Sequence, residues 1–284
     1  LAAVALALAF STTSAGAAQN VAGGAADPSA VAATDSVVYE RVGGSGVLRR
    51  GGLEIPLPGT DPAIGGSYIA VLDGQVVRLL SSATLAPVAT VEAPNADALA
   101  VSDAWLVYRA RLGNGGDGIF ARSIVNPAVP GPFISLDSIA DPAQLSPPSL
   151  DGDVLVYAVA RPNGSRIVQR VMSSGESRTL VKSGRSVLFN PAVQGDAFVY
   201  TQSQGGGGKL VIRTRGRRGR GHNVFGLKRA QGIVWSTALT ELAAYVTVLH
   251  PGSAGAAAEL VEVPLGEARP DKKKRKKKKR RRRR

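Results

Sequence analysis

The apolar positions of the chain fall into short runs broken by Gly, Pro, Asn and Ser, and one such run keeps returning. PSLDGDVLVYA, Pro148 to Ala158, recurs 43 residues later as PAVQGDAFVYT, Pro191 to Thr201. Looser copies stand at Asp35 to Glu40, Gly65 to Leu72, Asp103 to Arg109 and Glu241 to Thr247. Five of the six tyrosines, Tyr39, Tyr108, Tyr157, Tyr200 and Tyr245, hold one position of the phrase. The sixth, Tyr68, lies two residues before Ala70, which fills that position in the second copy. With Ala70 as the anchor, the spacings are 31, 38, 49, 43 and 45 residues, the unevenness expected of inserted loops.

Each copy continues through a polar turn into a second short strand, and in five copies that strand ends in arginine: Arg49, Arg78, Arg122, Arg170 and Arg213. The sixth copy departs, with ELVEV at Glu259 to Val263. Third strands are suggested by RTLV before Lys182, NVFGL before Lys228 and PFISL after Gly131. Short runs rich in Val, Ile, Leu and Tyr between regularly placed turn residues are an all-β pattern. Beyond the first few residues, no window holds the 3.6-residue period of a helix. Six units over Asp35 to Leu265 average about 38 residues, close to the ~40–45 of a four-stranded propeller blade. A ring of blades removes the exposed-edge problem by radial repetition, so the pattern predicts an all-β, six-bladed β-propeller. Five or seven blades follow if the second copy is misplaced or if residues 18–34 add a strand.

The fullest unit, Pro147 to Val181, resembles the WD40-like repeat of TolB-type β-propellers. The resemblance rests on Ser149 to Gly152 as the SPDG-like turn, Val154 to Tyr157 as the strand, Asn163 and Gly164 as the next turn, and Gly175 with Leu180 at the close. It is strongest in the fourth and fifth units, and Val168 stands where the family has an aromatic residue. It implies an extracytoplasmic binding scaffold of a bacterial envelope.

Composition changes the picture at the two ends. LAAVALALAF followed by STTSAGAAQN, with Ala15 and Ala17 as a small-x-small pair, reads as a secretory signal over residues 1–17 with a truncated start. Residues 18–34 read as a linker, 35–265 as the propeller and 266–284 as a disordered polybasic tail. The formal charge is +14, from 35 Lys and Arg against 21 Asp and Glu. Thirteen of the basic residues form the final run, which leaves 22 against 21 in the rest of the chain. The tail comprises Lys272, Lys273, Lys274, Arg275, Lys276, Lys277, Lys278, Lys279, Arg280, Arg281, Arg282, Arg283 and Arg284. So many like charges without apolar surface cannot fold alone. A second basic stretch holds Arg215, Arg217, Arg218 and Arg220 among glycines, in the manner of RNA-binding RGG segments but without their aromatic residues.

Chemistry is sparsely supplied. Absent cysteine excludes disulfides, thiolate metal sites and thiol nucleophiles, and two histidines support little His-based catalysis. No cofactor or metal is expected. The acids four positions before the anchor tyrosine, Asp35, Asp153, Asp196 and Glu241, read as residues that bond turn amides. Trp105 and Trp235 read as core. Pseudo-symmetry puts the five repeated arginines at one radius, where they form a candidate ligand-binding ring if they face the channel and tie blades together if they face a neighbour. Strand alternation leaves that choice open.

The expected function is a secreted, non-catalytic, monomeric binding module. Its cationic tail holds it on anionic cell-envelope polymer or lipid headgroups, and its propeller meets a protein partner. Secretion ranks nucleic acid behind the envelope as the tail's partner. The alternative is a propeller hydrolase or lyase acting on an anionic polymer.

Overall fold

The computed structural model describes residues 18–30, 36–41, 44–204, 207–214, 221–227, 232–250 and 257–265, and among these all regular structure is β-strand. The signal segment, the Arg215 to Arg220 stretch and the tail lie outside the described residues.

The first strand, β1 (Gln19–Gly23), is followed by the first blade: β2 (Ala25–Ala30), β3 (Val37–Arg41), β4 (Ser45–Arg50) and β5 (Leu53–Pro56). Blade two holds β6 (Thr60–Gly65), β7 (Tyr68–Asp73), β8 (Val76–Ser81) and β9 (Pro87–Glu92). Blade three holds β10 (Ala96–Val101), β11 (Trp105–Arg111), β12 (Asp117–Ser123) and β13 (Ile134–Ile139). In blade four the inner position is split between β14 (Gln144–Leu145) and β15 (Ser149–Asp151), ahead of β16 (Val154–Arg161), β17 (Gly164–Val171) and β18 (Ser177–Ser183). Blade five holds β19 (Val187–Gln194), β20 (Ala197–Gln204), β21 (Gly207–Thr214) and β22 (His222–Leu227). Blade six starts with β23 (Ile233–Leu239), β24 (Ala243–His250) and β25 (Ala257–Pro264).

Each blade is an antiparallel meander, and the last is completed by β1, which pairs with β25 through Gln19↔Glu262 and Gly23↔Glu259. The inner strands meet in the cyclic order β2, β6, β10, β15, β19, β23 and back to β2, which closes a six-bladed ring around a channel. Residues 18–34, read as a linker from their small and polar composition, thus contribute β1 and β2. Their signal is weak because β1 has a single partner strand and β2 carries Asp27-Pro28 inside it.

The core is divided into wedges between adjacent blades. One cluster joins Val38 and Leu48 to Ile69 and Val71, another joins Leu72 and Val77 to Leu106 and Tyr108, and the series continues round to Ala22 and Leu260 against Val37 and Tyr39. A strand second from the channel is therefore covered on both faces. This is why β11 buries Leu106, Val107 and Tyr108 in succession, an unbroken apolar run of the kind that sheets buried on both sides require. Outer strands face water on one side and read weakly, as the exposed positions of β9 and β18 show.

Of the acids expected to bond turn amides, Asp153 is seen to do so. Gly66, Gly152 and Gly195 open the turns after the inner strands of blades two, four and five with φ of 56°, 55° and 50°, the left-handed region that glycine enters without steric cost. Asp153 accepts the Ser173 amide at 2.9 Å and the Ser173 hydroxyl, so it fastens two turns of one blade together. Neighbouring blades are fastened in the same way, by Asp103 on the Ser67 amide and Asp151 on the Gly195 amide, both at 2.7 Å.

Candidate binding site

The inner strands share an irregularity at one level. The register slips between Ala26 and Ser29, Thr60 and Ala63, Ala96 and Ala98, Phe189 and Ala192, and Val234 and Thr237. In blade four the strand breaks outright at Ser146 to Pro148. Proline stands at four of these six places, as Pro28, Pro62, Pro147 with Pro148, and Pro191. It cannot donate to a ladder and so belongs at bulges. Asp61 and Asn190 occupy the left-handed region beside it, with φ of 44° and 43°.

The groups released from the ladders bond from blade to blade. The Asp61 amide donates to Glu40 Oε2 at 2.9 Å, the Asn190 side-chain amide donates to the Trp235 carbonyl, and the Thr237 hydroxyl donates to the Asn190 carbonyl at 2.6 Å. Arg109 donates through Nε to Asp97 at 2.7 Å and through Nη1 to the Leu145 carbonyl at 2.9 Å. Inside this ring lies a cavity of about 490 Å³, bordered by all six inner strands.

Apolar and small polar residues line it throughout, but among the described residues the aromatic and the charged ones fall on different sides. Blades five and six contribute Val187, Phe189 and Trp235, with Trp235 46% exposed and its ring centroid 6.5 Å from that of Phe189. Blades two to four contribute Asp61, Asp97, Arg109 and Gln144. Trp235 is therefore a cavity residue rather than core, because the bulge between Val234 and Thr237 turns it out of the pleat. Trp105 is half-buried, with its Nε1 donating to Asp153 Oδ1 at 3.3 Å.

The five repeated arginines do not face this cavity. They sit on β4, β8, β12, β17 and β21, two strands out from the inner ring. Arg49 donates to the Val21 carbonyl of β1 at 3.2 Å, Arg170 approaches the Leu136 carbonyl of β13 at 3.5 Å, and Arg122 lies 4.0 Å from Glu92 of β9. Each of these partners belongs to the outer strand of the preceding blade, so Arg49, Arg122 and Arg170, read as part of a ligand-binding ring, are inter-blade ties. The physical reason is the count of strands: the run that carries arginine is third from the channel, because the innermost strand of every blade escaped detection in the sequence. Arg213 donates to the Tyr200 hydroxyl. Arg78 is not equivalent to the others. It pairs in register with Val71, whereas Arg49, Arg122, Arg170 and Arg213 oppose the residue two before the tyrosine, and Arg78 instead meets Asp73 near the surface.

The same registers reassign two anchors. Val71, buried in the wedge between blades one and two, takes the place given to Ala70. Tyr245 stands one position early and faces the first blade, leaving Val246 at the anchor.

At four blades, tyrosine and arginine form a repeated pair. Burial pushes the Tyr39, Tyr108, Tyr157 and Tyr200 hydroxyls above the ordinary phenol value, with Tyr108 at about 12, and the adjacent arginines oppose the shift. Glu54 accepts from Tyr39 and Arg41, and the Tyr39 bond holds its carboxyl below the usual range. Tyr157 donates to Asp137 at 2.9 Å, whereas the Tyr108 hydroxyl finds no hydrogen-bond partner among the described residues.

In urea denaturation at pH 7, Tyr157→Phe is expected to cost about 1.5–3 kcal/mol, the worth of a hydrogen bond to a charged acceptor. Tyr108→Phe, which removes a buried hydroxyl lacking a partner, costs nothing or stabilises. Phenols of the unfolded chain titrate near 10. With the folded value of Tyr108 raised, its contribution to stability is complete below about pH 10 and is lost as pH climbs through about 12. Tyr108→Phe makes that alkaline loss shallower, and an unchanged profile would remove Tyr108 from the account.

No protein-family model matches the chain, and no curated protein is found similar to it. Solved structures share its architecture at low identity. The β-propeller domain of the Trilobed protease from Pyrococcus furiosus aligns at 13% identity with a TM-score of 0.53, over 87% of this chain and 86% of that one. An acylaminoacyl peptidase from Pyrococcus horikoshii aligns at 12% and 0.52, over 85% and 46%. TolB from Acinetobacter baumannii aligns at 12% and 0.51, over 78% and 60%. The chain thus spans about half the length of that peptidase and three fifths of that TolB. The P. furiosus domain is described as having an open velcro topology, whereas here β1 pairs with β25 in blade six. These likenesses establish the fold alone, a six-bladed β-propeller with structural neighbours that include TolB.

Proposed function

We propose that this chain is an extracytoplasmic, non-catalytic binding module, with a propeller that offers its channel to a partner and a basic run, Lys272 to Arg284, that retains it on anionic envelope polymer or lipid headgroups. The observation that carries the reading is the concentration of the net charge in one run of the sequence. The chain up to Asp271 is nearly neutral, 22 basic against 21 acidic residues, and its described part is a closed ring around a cavity. Thirteen successive cations follow β25 within a few residues of its end. Each basic residue near an anionic surface contributes about 1 kcal/mol, so the run suffices for retention without a specific pocket.

Sedimentation of the intact chain and of a version ending at Gly266, with isolated envelopes and with nucleic acid across a salt series, tests the proposal. The intact chain is expected to pellet with envelopes at low salt and to lose affinity steeply as salt rises. On nucleic acid the fall between 50 and 200 mM is about a thousandfold for roughly six phosphate contacts. The shortened version does not pellet. Equal, salt-resistant binding by both versions overturns the role of the tail. Turnover of an anionic glycan that survives its removal overturns the non-catalytic reading.

A further inference from the structure

The two-sided wall of the channel specifies a ligand class. We infer that the cavity binds a small organic cation, an ammonium group carried on an aromatic or branched apolar body, with the body against Phe189 and Trp235 and the ammonium towards Asp97 and Asp61. The inference rests on the reading of the propeller as a binding module and adds the chemistry of its site.

Three observations converge on it. The first is size: about 490 Å³ falls in the range of roughly 300–1,000 Å³ typical of small-molecule sites. The second is the exposed aromatic corner. Trp235 leaves nearly half of its surface open while Phe189 braces it at 6.5 Å and 54°. A large aromatic side chain in that position stands ready to be covered by an apolar body or by a cation over its face.

The third is the sign of the opposite wall. In ring order blade three stands across from blade six, and blade two across from blade five. Among the described residues, the charged ones bordering the cavity there are Asp61, Asp97 and Arg109, two carboxylates to one guanidinium, with Glu40 behind the Asp61 amide. Arg109 is committed on two sides, to Asp97 and to the Leu145 carbonyl, which fixes it as a strut. An incoming ammonium is favoured by this excess of carboxylate, and an incoming carboxylate is opposed by it.

Polar groups around the rest of the rim hold the geometry. Asn190, 8% exposed, ties blade five to blade six through the Trp235 and Thr237 contacts and so fixes the backbone under the aromatic corner. A site held by struts between blades suits a preformed pocket.

The test uses the full chain carrying Trp105→Phe, so that Trp235 is the sole tryptophan and its fluorescence reports the cavity. Phenethylamine and 4-phenylbutylamine are titrated beside the neutral 2-phenylethanol and the anionic 3-phenylpropionate at pH 7. The amines are expected to shift Trp235 emission saturably, binding at least about tenfold tighter than the acid, the ratio of about one charge contact. Asp97→Asn, which leaves Arg109 without its carboxylate, is expected to shrink or invert that ratio, and Asp61→Asn to reduce it about threefold.

Calorimetric titration of the unaltered chain with the same probes covers the case in which Trp105→Phe, by losing its bond to Asp153, disturbs the fold. Equal or tighter binding of the acid overturns the ligand class while leaving a binding site. Absence of any response to every probe overturns the site itself. The sedimentation experiment reads the tail and is independent of both outcomes.

Discussion

Deletion of residues 19–23 is expected to lower the melting temperature by about 8–16 °C and to make the chain prone to self-association. The strand β1 is the outer strand of blade six, and its four paired residues, Gln19, Asn20, Ala22 and Gly23, supply one whole side of the β25 ladder. At a net ~1 kcal/mol for each lost pairing the ladder is worth about 4 kcal/mol. In a body of this size each kcal/mol moves the midpoint by roughly 2–4 °C. Further losses follow from the Val21 carbonyl, which accepts from Arg49, and from Ala22, buried in the wedge with Val37, Tyr39, Val47 and Leu260. Without β1, the ladder edge of β25 is open to pairing with another chain. Calorimetry and light scattering on the deleted chain check both parts. A midpoint within 2 °C of the intact chain would show that β1 does not close the ring.

A comparably large effect is expected from Gly65→Ala. Gly65 ends β6 beside β10 of blade three, and a Cβ there would overlap the Val101 carbonyl oxygen and lie 2.8 Å from the Val101 carbonyl carbon. Both obstacles are backbone of β10, held in register by the Val101↔Leu106 pairing, so no side chain can swing aside. Relief requires the blades to move apart at the inner ring, and the cost is at the upper end of overpacking, about 3 kcal/mol. The matched control is Gly184→Ala, where a Cβ meets nothing within 4 Å. The expected result is a midpoint lowered by about 6–12 °C for Gly65→Ala and unchanged for Gly184→Ala. Equal melting of the two would show that blades two and three are not in this contact.

What the sequence disclosed follows the burial of each strand. Second and third strands are covered on both faces, so their apolar runs and repeated tyrosines stand out, and the number of blades follows from them. The innermost strands were hidden by the bulges that build the channel. A proline stands nine residues before Val71, Tyr157 and Tyr200, and proline inside an apolar run argues against a strand. That spacing was nonetheless the available signal for the channel, since a proline repeated at one offset from a buried strand marks a repeated bulge. Missing the inner strand moved the arginines one strand too close to the axis in the reading of the repeat. Their direction depended on the handedness with which one blade faces the next, which alternation along a strand does not encode. Trp235 reads as core in the sequence because the slip of register around it is invisible in the residue types. The side of the cavity that carries charge was likewise unreadable, since Asp61, Asp97 and Arg109 converge only when blades two and three are set side by side.

The pairing of Gln19 with Glu262 has a consequence for how the chain reaches its native state. Each of the first five blades is a meander of neighbours in sequence, so its hairpins can form as soon as they are available. The sixth joins strands from opposite ends of the body and is the contact with the longest loop to close. Folding rates fall as such long-range contacts come to dominate, so the sealing of blade six is the slow, final step. During synthesis the first strand must wait for the last, and until β25 arrives the unfinished ring is the form most exposed to proteases and to other copies of itself.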